Sequence, residues 1–339
     1  MNSTPKHILV IRLSAMGDVA MLVPVLQVLK KTYPNVKITI LTRRFLKPIF
    51  DKELTGIDIH FHEVDTKGKH KGINGIFKLS KELKKLNIDA VADTHNVLRS
   101  KMLKTFLFGI KKATIDKGRK EKKALVNHTN FKQLKTTHER YADVFRSLGF
   151  KIDLSTHQFP TKPKLPNLDF IQHIAETGKK WIGIAPFAQY KGKMYPLFMM
   201  EKVIVELAKT KQLFLFGGGQ KETEQLQKIS NKYENVINVA GKLSLKEELQ
   251  LIAHLDAMIA MDSGNAHFAA MFDVKTITLW GVTHPFAGFA PFKQTSHCIL
   301  PDMNKYPKIP CSIYGNKICT GYEEVMYSIA VSEVIEMTE

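Results

Sequence analysis

The fold of the second half of this chain is decided by one stretch, Leu255-Asp-Ala-Met-Ile-Ala-Met-Asp-Ser-Gly-Asn-Ala-His267. Within it, an apolar run at residues 257–261 is typical of a buried strand, and this run ends in Asp262-Ser263-Gly264. A helical pattern follows at once. A strand, a short turn and a helix in this order are typical of a doubly wound sheet, where the N–H groups at the start of the helix bind anions. We therefore expect this half of the chain to bind a ligand that carries phosphate.

Strand and helix patterns alternate along almost the whole chain. Strands are predicted at residues 6–13, 36–42, 88–93, 181–185, 212–216, 236–239, 257–261 and 276–280. Helices are predicted at residues 19–32, 77–86, 138–148, 197–209, 245–253 and 265–272, in a segment that ends at residue 229, and in the tail from residue 322. Residues 99–135, which are rich in lysine, break the pattern. The alternation favours parallel sheets with covering helices.

A proline-rich linker divides the chain. Residues 151–168 contain Pro160, Pro163 and Pro166 and show little periodicity, and the alternation restarts after them. We therefore predict an α/β protein with two doubly wound, Rossmann-like domains that face a central cleft. The expected boundaries are residues 1–158, residues 159–321 and a C-terminal helix at residues 322–339 that packs back on the first domain.

The composition is that of a soluble globular protein. The 339 residues are 44% hydrophobic and 24% charged, and no run in the sequence reaches the roughly eighteen apolar residues of a membrane span. The apolar run at residues 7–13 is too short for a signal peptide. Cys298, Cys311 and Cys319 show neither a disulfide framework nor metal-site spacing, so we expect reduced thiols, no bound metal and a cytoplasmic location.

Positive charge is concentrated in the first half of the chain. The net charge is +18, and residues 1–150 hold 30 Lys+Arg against 13 Asp+Glu, whereas residues 151–339 hold 20 against 19. Such an asymmetry indicates that the first half meets a polyanion. Nucleic acid, an anionic membrane surface and a phosphorylated lipid all fit, and so does a basic surface that serves only solubility.

A second candidate site follows the first predicted strand. The turn Arg12-Leu-Ser-Ala-Met-Gly-Asp18 leads into a helix, and it lacks the G-x-G-x-x-G fingerprint of a dinucleotide site. Asp18 lies where the helix begins, at the carboxyl end of a strand. Aspartate is favoured as a helix cap, but a carboxylate in this place can also face a substrate and act as a general base. The two interpretations are compatible, and both stay open at this point.

Three further positions each have a functional and a structural interpretation. Lys193, in a loop after a predicted strand, can stabilise the charge of a departing diphosphate or be a solvated lysine. Glu222, which follows the triplet Gly217-Gly218-Gly219, can hold ribose hydroxyls or be an ordinary acidic residue of a first helical turn. His267 can contact a phosphate or pack inside the protein.

Taken together, these segments resemble glycosyltransferase family 9, the ADP-heptose:lipopolysaccharide heptosyltransferases. The matching segments, in chain order, are residues 8–19, 93–100, 193–196, 216–219, 261–267 and Trp280-Gly281. The resemblance implies the GT-B architecture, which has two Rossmann-like domains with the active site between them. It also implies an enzyme that needs no nicotinamide and no metal ion, and that uses an ADP-sugar as its donor substrate.

The resemblance implies a role for each candidate residue. Asp18 would be the general base, the first domain would bind the acceptor, and the second would bind the donor. The expected donor-binding residues are Lys193, Glu222, Leu243, Asp262, Ser263, Gly264 and His267. The expected acceptor-binding residues are Arg99, Lys101, Lys117, Arg119 and Lys120. The implied reaction is an inverting, metal-independent transfer of heptose from ADP-heptose to the inner core of lipopolysaccharide.

The resemblance also implies a partner for the basic first half. The acceptor would be a saccharide on a phosphorylated lipid, so we expect transient contact with an anionic membrane surface, peripheral attachment to the inner face of the cytoplasmic membrane, and no nucleic-acid partner. The apolar run at residues 102–110 either dips toward the bilayer or is a buried helix. The alternatives are a GT-B enzyme with another nucleotide-sugar donor and a basic nucleic-acid-binding protein, while the missing fingerprint disfavours a dehydrogenase.

Overall fold

The structure is a computed structural model that describes residues 4–175 and 178–339. It confirms the predicted α/β class, with two parallel sheets and helices that cover them. The chain forms two compact units. Unit 1 extends to Lys117 and includes Thr137–Thr161, and unit 2 comprises Gly118–Thr136 and Lys162–Glu339.

Unit 1 is built on a five-stranded parallel sheet. Its strands, numbered in chain order, are β1 (His7–Ile11), β2 (Lys37–Thr42), β3 (His60–Glu63), β4 (Ala90–Asp93) and β5 (Lys111–Thr114). They lie in the order β3-β2-β1-β4-β5. Its helices are α1 (Met16–Ala20), α2 (Val23–Thr32), α3 (Lys52–Thr55), α4 (Gly72–Lys84), α5 (Leu98–Phe106) and α7 (Thr137–Ser147). Every residue of the central strand β1 is buried, as expected where helices cover both faces of a parallel sheet.

Helices α4 and α5 cover one face of this sheet. The apolar residues Ile76, Leu79 and Leu83 recur on one side of α4, and they pack in one core cluster with Leu9 and Ile11 of β1. The connections through α4 and α5 cross the sheet in the same direction, because each leads toward the β5 edge. Right-handed crossovers therefore place the two helices side by side, and the structure shows them in contact.

Unit 2 is built on a six-stranded parallel sheet. Its strands are β6 (Trp181–Ala185), β7 (Gln212–Leu215), β8 (Val236–Asn238), β9 (Ala257–Met261), β10 (Lys275–Leu279) and β11 (Cys298–Ile299). They lie in the order β11-β10-β9-β6-β7-β8. Its helices are α6 (Arg119–Val126), α8 (Asp169–Ala175), α9 (Leu197–Ala208), α10 (Gln220–Ser230), α11 (Leu245–Ile252), α12 (Gly264–Ala270) and α13 (Val331–Thr338).

One segment of the first half belongs to unit 2. Residues 118–136 include α6, and Leu125 and Leu134 form a small core cluster with Ala287. The N–H of Leu134 donates to the carbonyl oxygen of Phe286 at 2.9 Å.

Counted by unit, the chain has 25 Lys+Arg and 13 Asp+Glu in unit 1 against 25 and 19 in unit 2. The net charges are therefore +12 and +6, a smaller asymmetry than the count over residues 1–150 indicates.

Several elements differ from the expectation. The helix expected at residues 19–32 is two helices, α1 and α2, because the chain turns at Met21 and Leu22 before the proline in the first turn of α2. Residues 99–135, expected to be irregular, contain α5, β5 and α6. The C-terminal helix α13, expected on the first domain, packs instead on α9, with Val334 in the core of unit 2. The domain boundaries expected from the sequence stay a prediction.

The prediction of reduced thiols is wrong for two of the three cysteines. Cys311 and Cys319 form a disulfide, with their Cα atoms 5.4 Å apart. The loop between them closes around Ser312, whose Oγ accepts the N–H groups of Gly315 at 3.1 Å and Lys317 at 3.3 Å. The loop that joins the two cysteines is held by hydrogen bonds to the serine hydroxyl. The spacing of the cysteines does not reveal these bonds, so the disulfide was not predicted from it.

Among the described residues, no helix combines the length and the apolar composition that spanning a membrane requires. In those same parts of the chain, no three or more His, Cys, Asp and Glu side chains are grouped so that they could hold a metal ion.

Candidate active site

Each sheet places one candidate site at the point where its strand order reverses. In unit 1 this point lies between β1 and β4, and in unit 2 it lies between β6 and β9. Doubly wound folds bind ligands outside the carboxyl ends of the strands at such a point. Asp18 follows β1 and Asp262 follows β9, so both predicted carboxylates lie at a reversal point.

The side chain of Asp18 is held in place but accessible to solvent. Asp18 is the third residue of α1, and its Oδ2 accepts the N–H of Ala15, the residue that caps this helix, at 3.3 Å. The same Oδ2 lies 2.5 Å from Nη2 of Arg12, while 29% of the Asp18 side chain is exposed. The carboxylate therefore contributes to the helix start, as the cap interpretation expects, and can still be reached by a substrate.

Arg12 connects Asp18 to the rest of unit 1. Its guanidinium is buried, and Nη1 donates to the carbonyl oxygen of Thr94, just after β4, at 2.7 Å. The guanidinium carbon lies 5.7 Å from the ring centroid of Tyr141 on α7, and the hydroxyl of Tyr141 donates to the carbonyl oxygen of Asp18 at 3.2 Å. The role of Arg12 was not predicted from the sequence. The signal that could have indicated it is a charged residue directly after a buried strand.

His95 is a second residue of this site that the sequence did not indicate. Its Nδ1 accepts the N–H of Leu13 at 3.4 Å, and its Nε2 lies 3.5 Å from Oγ of Ser14. Burial, reinforced by the positive charges of Arg12 and Lys117, lowers the pKa of His95 to about 4. The ring is therefore neutral near pH 7 and carries its proton on Nε2, because Nδ1 acts as an acceptor.

In unit 2, Asp262 joins the turns that follow three neighbouring strands. Nζ of Lys193, after β6, lies 2.8 Å from Oδ2 of Asp262. Oγ1 of Thr283, after β10, donates to the same oxygen at 3.0 Å. Asp262 and Thr283 are buried. Since β10, β9 and β6 are adjacent in the sheet, the three turns meet at one edge. Thr283 is a member of this cluster that the sequence did not indicate.

The start of α12 lies directly beside this cluster in the chain. Ser263 caps the helix, Gly264 is its first residue, and His267 is buried one turn further along. Oγ of Ser263 is buried, and no hydrogen-bond partner for it is found among the described residues. The structure thus brings Lys193, Asp262 and the start of α12 together, with a serine hydroxyl available for a ligand.

Glu222 and Leu243 lie further along the same edge of the sheet. Glu222 follows β7, in the first turn of α10, and its Oε2 accepts the N–H of Gly218 at 2.8 Å. Leu243 is half-buried after β8, immediately before Ser244, which caps α11. Glu222 therefore has a structural role, because it closes the glycine turn, and it remains half-exposed.

The disulfide loop supports Lys193. The N–H of Cys311 donates to the carbonyl oxygen of Val282 at 2.9 Å, which fixes the loop next to Thr283. Gly315, at the tip of the loop, has a φ of +80° and stands against the aliphatic part of Lys193, so that an added Cβ would overlap this side chain. Glycine is therefore needed here for both its backbone conformation and its small size.

The five expected acceptor-binding residues do not lie on one unit. Arg99, Lys101 and Lys117 are in unit 1, whereas Arg119 and Lys120 are exposed at the start of α6 in unit 2. Arg99 is half-buried and its Nη1 donates to the carbonyl oxygen of His70 at 2.7 Å, whereas Lys101 is exposed.

The run at residues 102–110 is mainly a core element. Leu103 and Leu107 are buried in the core of unit 1, as the buried-helix interpretation expects. Phe108 is the exception, since 89% of it is exposed.

Comparison with known proteins identifies the family. Residues 76–313 match the sequence model of glycosyltransferase family 9 (heptosyltransferase). The lipooligosaccharide heptosyltransferase 2 of Campylobacter jejuni subsp. jejuni serotype O:6 is 25% identical over 287 residues, which are 83% of this chain and 81% of that protein.

Solved structures show the same fold. A family 9 glycosyltransferase from Veillonella parvula superposes with a TM-score of 0.75 at 20% identity, over 99% of this chain and 97% of that chain. The E. coli heptosyltransferase WaaC with ADP superposes with a TM-score of 0.67 at 18% identity, over 98% of this chain and 100% of that chain.

The two Rossmann-like units are those of a GT-B glycosyltransferase, and the chain is an enzyme of this class. It belongs to glycosyltransferase family 9, the heptosyltransferase family, as the sequence segments predicted.

Substitution of Gly315 tests the support of Lys193. We expect Gly315→Ala to displace Lys193 from Asp262 and to weaken ADP binding about tenfold, a loss typical of a misplaced charged hydrogen bond. Calorimetric titration with ADP measures this. The matched control is Gly321→Ala, because Gly321 has a φ of +81° but an added Cβ there would meet nothing within 4 Å. Equal losses in the two variants would show that backbone strain alone is responsible.

The buried His95 predicts a pH dependence of stability. Its pKa of about 4 lies below the ordinary value of 6.5, so the unfolded chain binds more protons between these pH values. Stability is therefore retained above pH 6.5 and falls as the pH drops, by about 2 kcal/mol between pH 7 and pH 5 for this residue. Urea unfolding at the two pH values measures the difference. In His95→Asn, the difference in stability between the two pH values should be smaller by about 2 kcal/mol. An unchanged difference would contradict the assignment of the low pKa to His95.

Proposed function

We propose that this enzyme transfers heptose from ADP-heptose to the inner core of lipopolysaccharide, with inversion at the anomeric carbon and without a metal ion. Family membership and the name of the Campylobacter jejuni relative support the transferred sugar and the pathway. The observation that carries the proposal is the cluster of Lys193, Asp262 and Thr283 at the strand-order reversal of unit 2. A basic group, hydroxyl groups and the start of a helix at one sheet edge are suited to a sugar diphosphate.

Unit 2 would hold the donor. Lys193 would contact the diphosphate, and Oγ of Ser263 with the N–H of Gly264 would donate to its oxygens. Asp262 would face the sugar side of the donor, and His267 would contact a phosphate. Further along the edge, Glu222 would lie at the ribose and Leu243 beside the adenine. As the bond from the sugar to ADP breaks, negative charge grows on the departing diphosphate, and Lys193 stabilises this charge.

Asp18 would be the general base. Its carboxylate takes the proton of the acceptor hydroxyl as that oxygen attacks the anomeric carbon, and the bond to ADP breaks on the opposite side, which inverts the configuration. Arg12 supports this role because it fixes the carboxylate in one orientation, 2.5 Å from its own Nη2. The exposed fraction of Asp18 leaves it open to an acceptor.

The acceptor would be a saccharide on a phosphorylated lipid. Exposed Lys101, Arg119 and Lys120, with the half-buried Arg99 and Lys117, would bind its phosphate or carboxylate groups. An acceptor of this kind lies in a membrane, so the enzyme would act in the cytoplasm, at the inner face of the cytoplasmic membrane. The net charge of +12 in unit 1 supports an anionic partner there.

Substitution of Asp18 tests the base. We expect Asp18→Asn to lower kcat by about 10²–10⁴-fold, because an amide cannot take the proton, while the Kd for ADP stays the same. Turnover with ADP-heptose and a lipid-linked acceptor, together with ADP calorimetry, measures both quantities. Asp51→Asn is the control, because Asp51 caps α3 by accepting the N–H of Glu53 at 2.9 Å. Wild-type turnover by Asp18→Asn would show that Asp18 is only a cap.

The nucleotide preference tests the donor. We expect ADP to bind at least about tenfold more tightly than UDP or GDP, because a site shaped for one base loses hydrogen bonds and packing with another. Calorimetry with the three nucleotides under one condition gives the ratio. Tight binding of UDP with none of ADP would reject ADP-heptose and favour another nucleotide-sugar donor.

A further inference from the structure

Large apolar side chains are exposed on the outer face of α4 and α5. Ile73 and Phe77 of α4 are 58% and 45% exposed, and Leu98 of α5 is 75% exposed. Phe108, two residues beyond α5, is 89% exposed. The inner faces of the same helices already supply the core of unit 1, and these four residues are not part of that core. Several such side chains on one pair of helices indicate an interaction surface.

The two helices present one shared surface, which we call the α4/α5 face. The rings of Phe77 on α4 and Phe106 on α5 meet edge to face, with their centroids 5.4 Å apart. Nζ of Lys81 lies 4.6 Å from the centroid of Phe77. Ile73, Phe77 and Lys81 follow one another at a spacing of four residues, so they form one stripe along α4. Apolar and basic groups are therefore mixed on this face.

The charge of the α4/α5 face is positive. Residues 72–106, all of which the structure describes, contain seven Lys+Arg and three Asp+Glu. The exposed lysines are Lys78, Lys81, Lys84, Lys85 and Lys101.

Each of the three acidic residues has a partner in unit 1. Oε1 of Glu82 lies 2.8 Å from Nζ of Lys69. Asp89 accepts the N–H groups of Lys6 and His7 at 2.9 and 2.8 Å. Asp93 is completely buried against Lys104, with 2.7 Å between Oδ2 and Nζ. Their charges are therefore used inside unit 1, and the lysines dominate the outer face.

We propose that the α4/α5 face docks on a bilayer that contains anionic lipids. Phe108, Leu98 and Ile73 enter the boundary between head groups and acyl chains, and the lysines lie at the phosphates. The inference rests on the proposed function, which already brings the enzyme to a membrane, and it adds the surface that makes the contact. It depends on neither the donor nor the sugar. The positive charge of this face is complementary to anionic lipid. Its exposed aliphatic side chains favour a bilayer over nucleic acid, because the bases of nucleic acid stack on aromatic side chains. The ring of Phe77 already contacts the ring of Phe106 and the ammonium group of Lys81.

Vesicle binding by the full chain tests the proposal. The probes are phosphatidylcholine vesicles with and without about 30% phosphatidylglycerol, in flotation at about 20 mM and about 500 mM salt. We expect binding only to the vesicles with phosphatidylglycerol, and its loss at high salt. Absence of binding at low salt would overturn the proposal, as would equal binding to both vesicles.

Charge reversal on α4 locates the surface. We expect the triple variant Lys78→Glu, Lys81→Glu, Lys84→Glu to weaken partitioning about hundredfold, because each lysine near an anionic surface contributes about fivefold. The matched control is Lys202→Glu, Lys228→Glu, Lys305→Glu, which makes the same change in net charge at exposed lysines of unit 2. We expect the control to keep most of its binding. Equal losses in the two triple variants would show that only net charge matters and would overturn the assignment to this face.

The apolar contribution is tested separately. Phe108→Ser should weaken partitioning about tenfold at constant charge, since a phenyl ring leaves the bilayer boundary. The fold is expected to tolerate this change because Phe108 has little packing to lose. An unchanged affinity would show that Phe108 does not insert into the bilayer, and it would contradict the proposed contact of this face.

Two checks separate this proposal from others. ADP calorimetry on the α4 triple variant should match wild type, so that failure of the donor proposal and failure of vesicle binding are seen independently. Competition with a single-stranded RNA oligonucleotide tests the other polyanion. RNA binding that is lost in the α4 triple variant, together with no vesicle binding, would overturn the bilayer proposal in favour of nucleic acid.

Discussion

The carboxylate of Asp262 connects three turns of unit 2. Lys193 and Thr283 reach the same oxygen from the turns after β6 and β10, at 2.8 and 3.0 Å. Removing one partner of a buried ion pair typically costs about 3–5 kcal/mol, because the other charge remains buried without compensation. The ammonium group of Lys193 is therefore positioned before any ligand arrives. Preorganised charge of this kind is most effective when charge develops during a reaction.

In each unit, a buried charged residue positions a side chain of opposite charge. In unit 1, a buried arginine that follows β1 holds the carboxylate of Asp18, and in unit 2, a buried carboxylate that follows β9 holds Lys193. In each case the strand order reverses beside the pair. The two pairs differ in the group that is positioned, which is the carboxylate of Asp18 in unit 1 and the ammonium group of Lys193 in unit 2. Asp18 is the more exposed member of its pair, which suits a base, while Lys193 is backed by the disulfide loop through Gly315, which suits a group that receives a diphosphate.

Much of the fold could be predicted because it is encoded in short runs of sequence. The strands at residues 181–185 and 257–261 agree with the structure to the residue, since each is an uninterrupted apolar run that ends in turn residues. The position of Asp18 and Asp262 after strands followed from the same runs. The family assignment is confirmed because several such segments occur in a fixed order.

The rest depended on contacts between distant parts of the chain. The hydrogen bond from Leu134 to Phe286 assigns residues 118–136 to unit 2, and no local pattern near residue 134 indicates it. Likewise, Thr283 contacts Asp262 only because β10 lies next to β9. The pair of Arg12 and Asp18 is closer in sequence, but its geometry depends on Thr94 and Tyr141. Pairing of Cys311 with Cys319 required the turn around Ser312.

The most direct test of the central role of Asp262 is a double-mutant cycle on ADP affinity. Calorimetry would give the Kd for ADP in wild type, in Lys193→Met, in Asp262→Asn and in the double variant. If Asp262 positions Lys193 for the diphosphate, the loss caused by Lys193→Met should be about thirtyfold in the wild-type background and less than about fivefold beside Asp262→Asn. An equal loss in both backgrounds would mean that the two residues act independently, and it would contradict the organisation of the donor site proposed above.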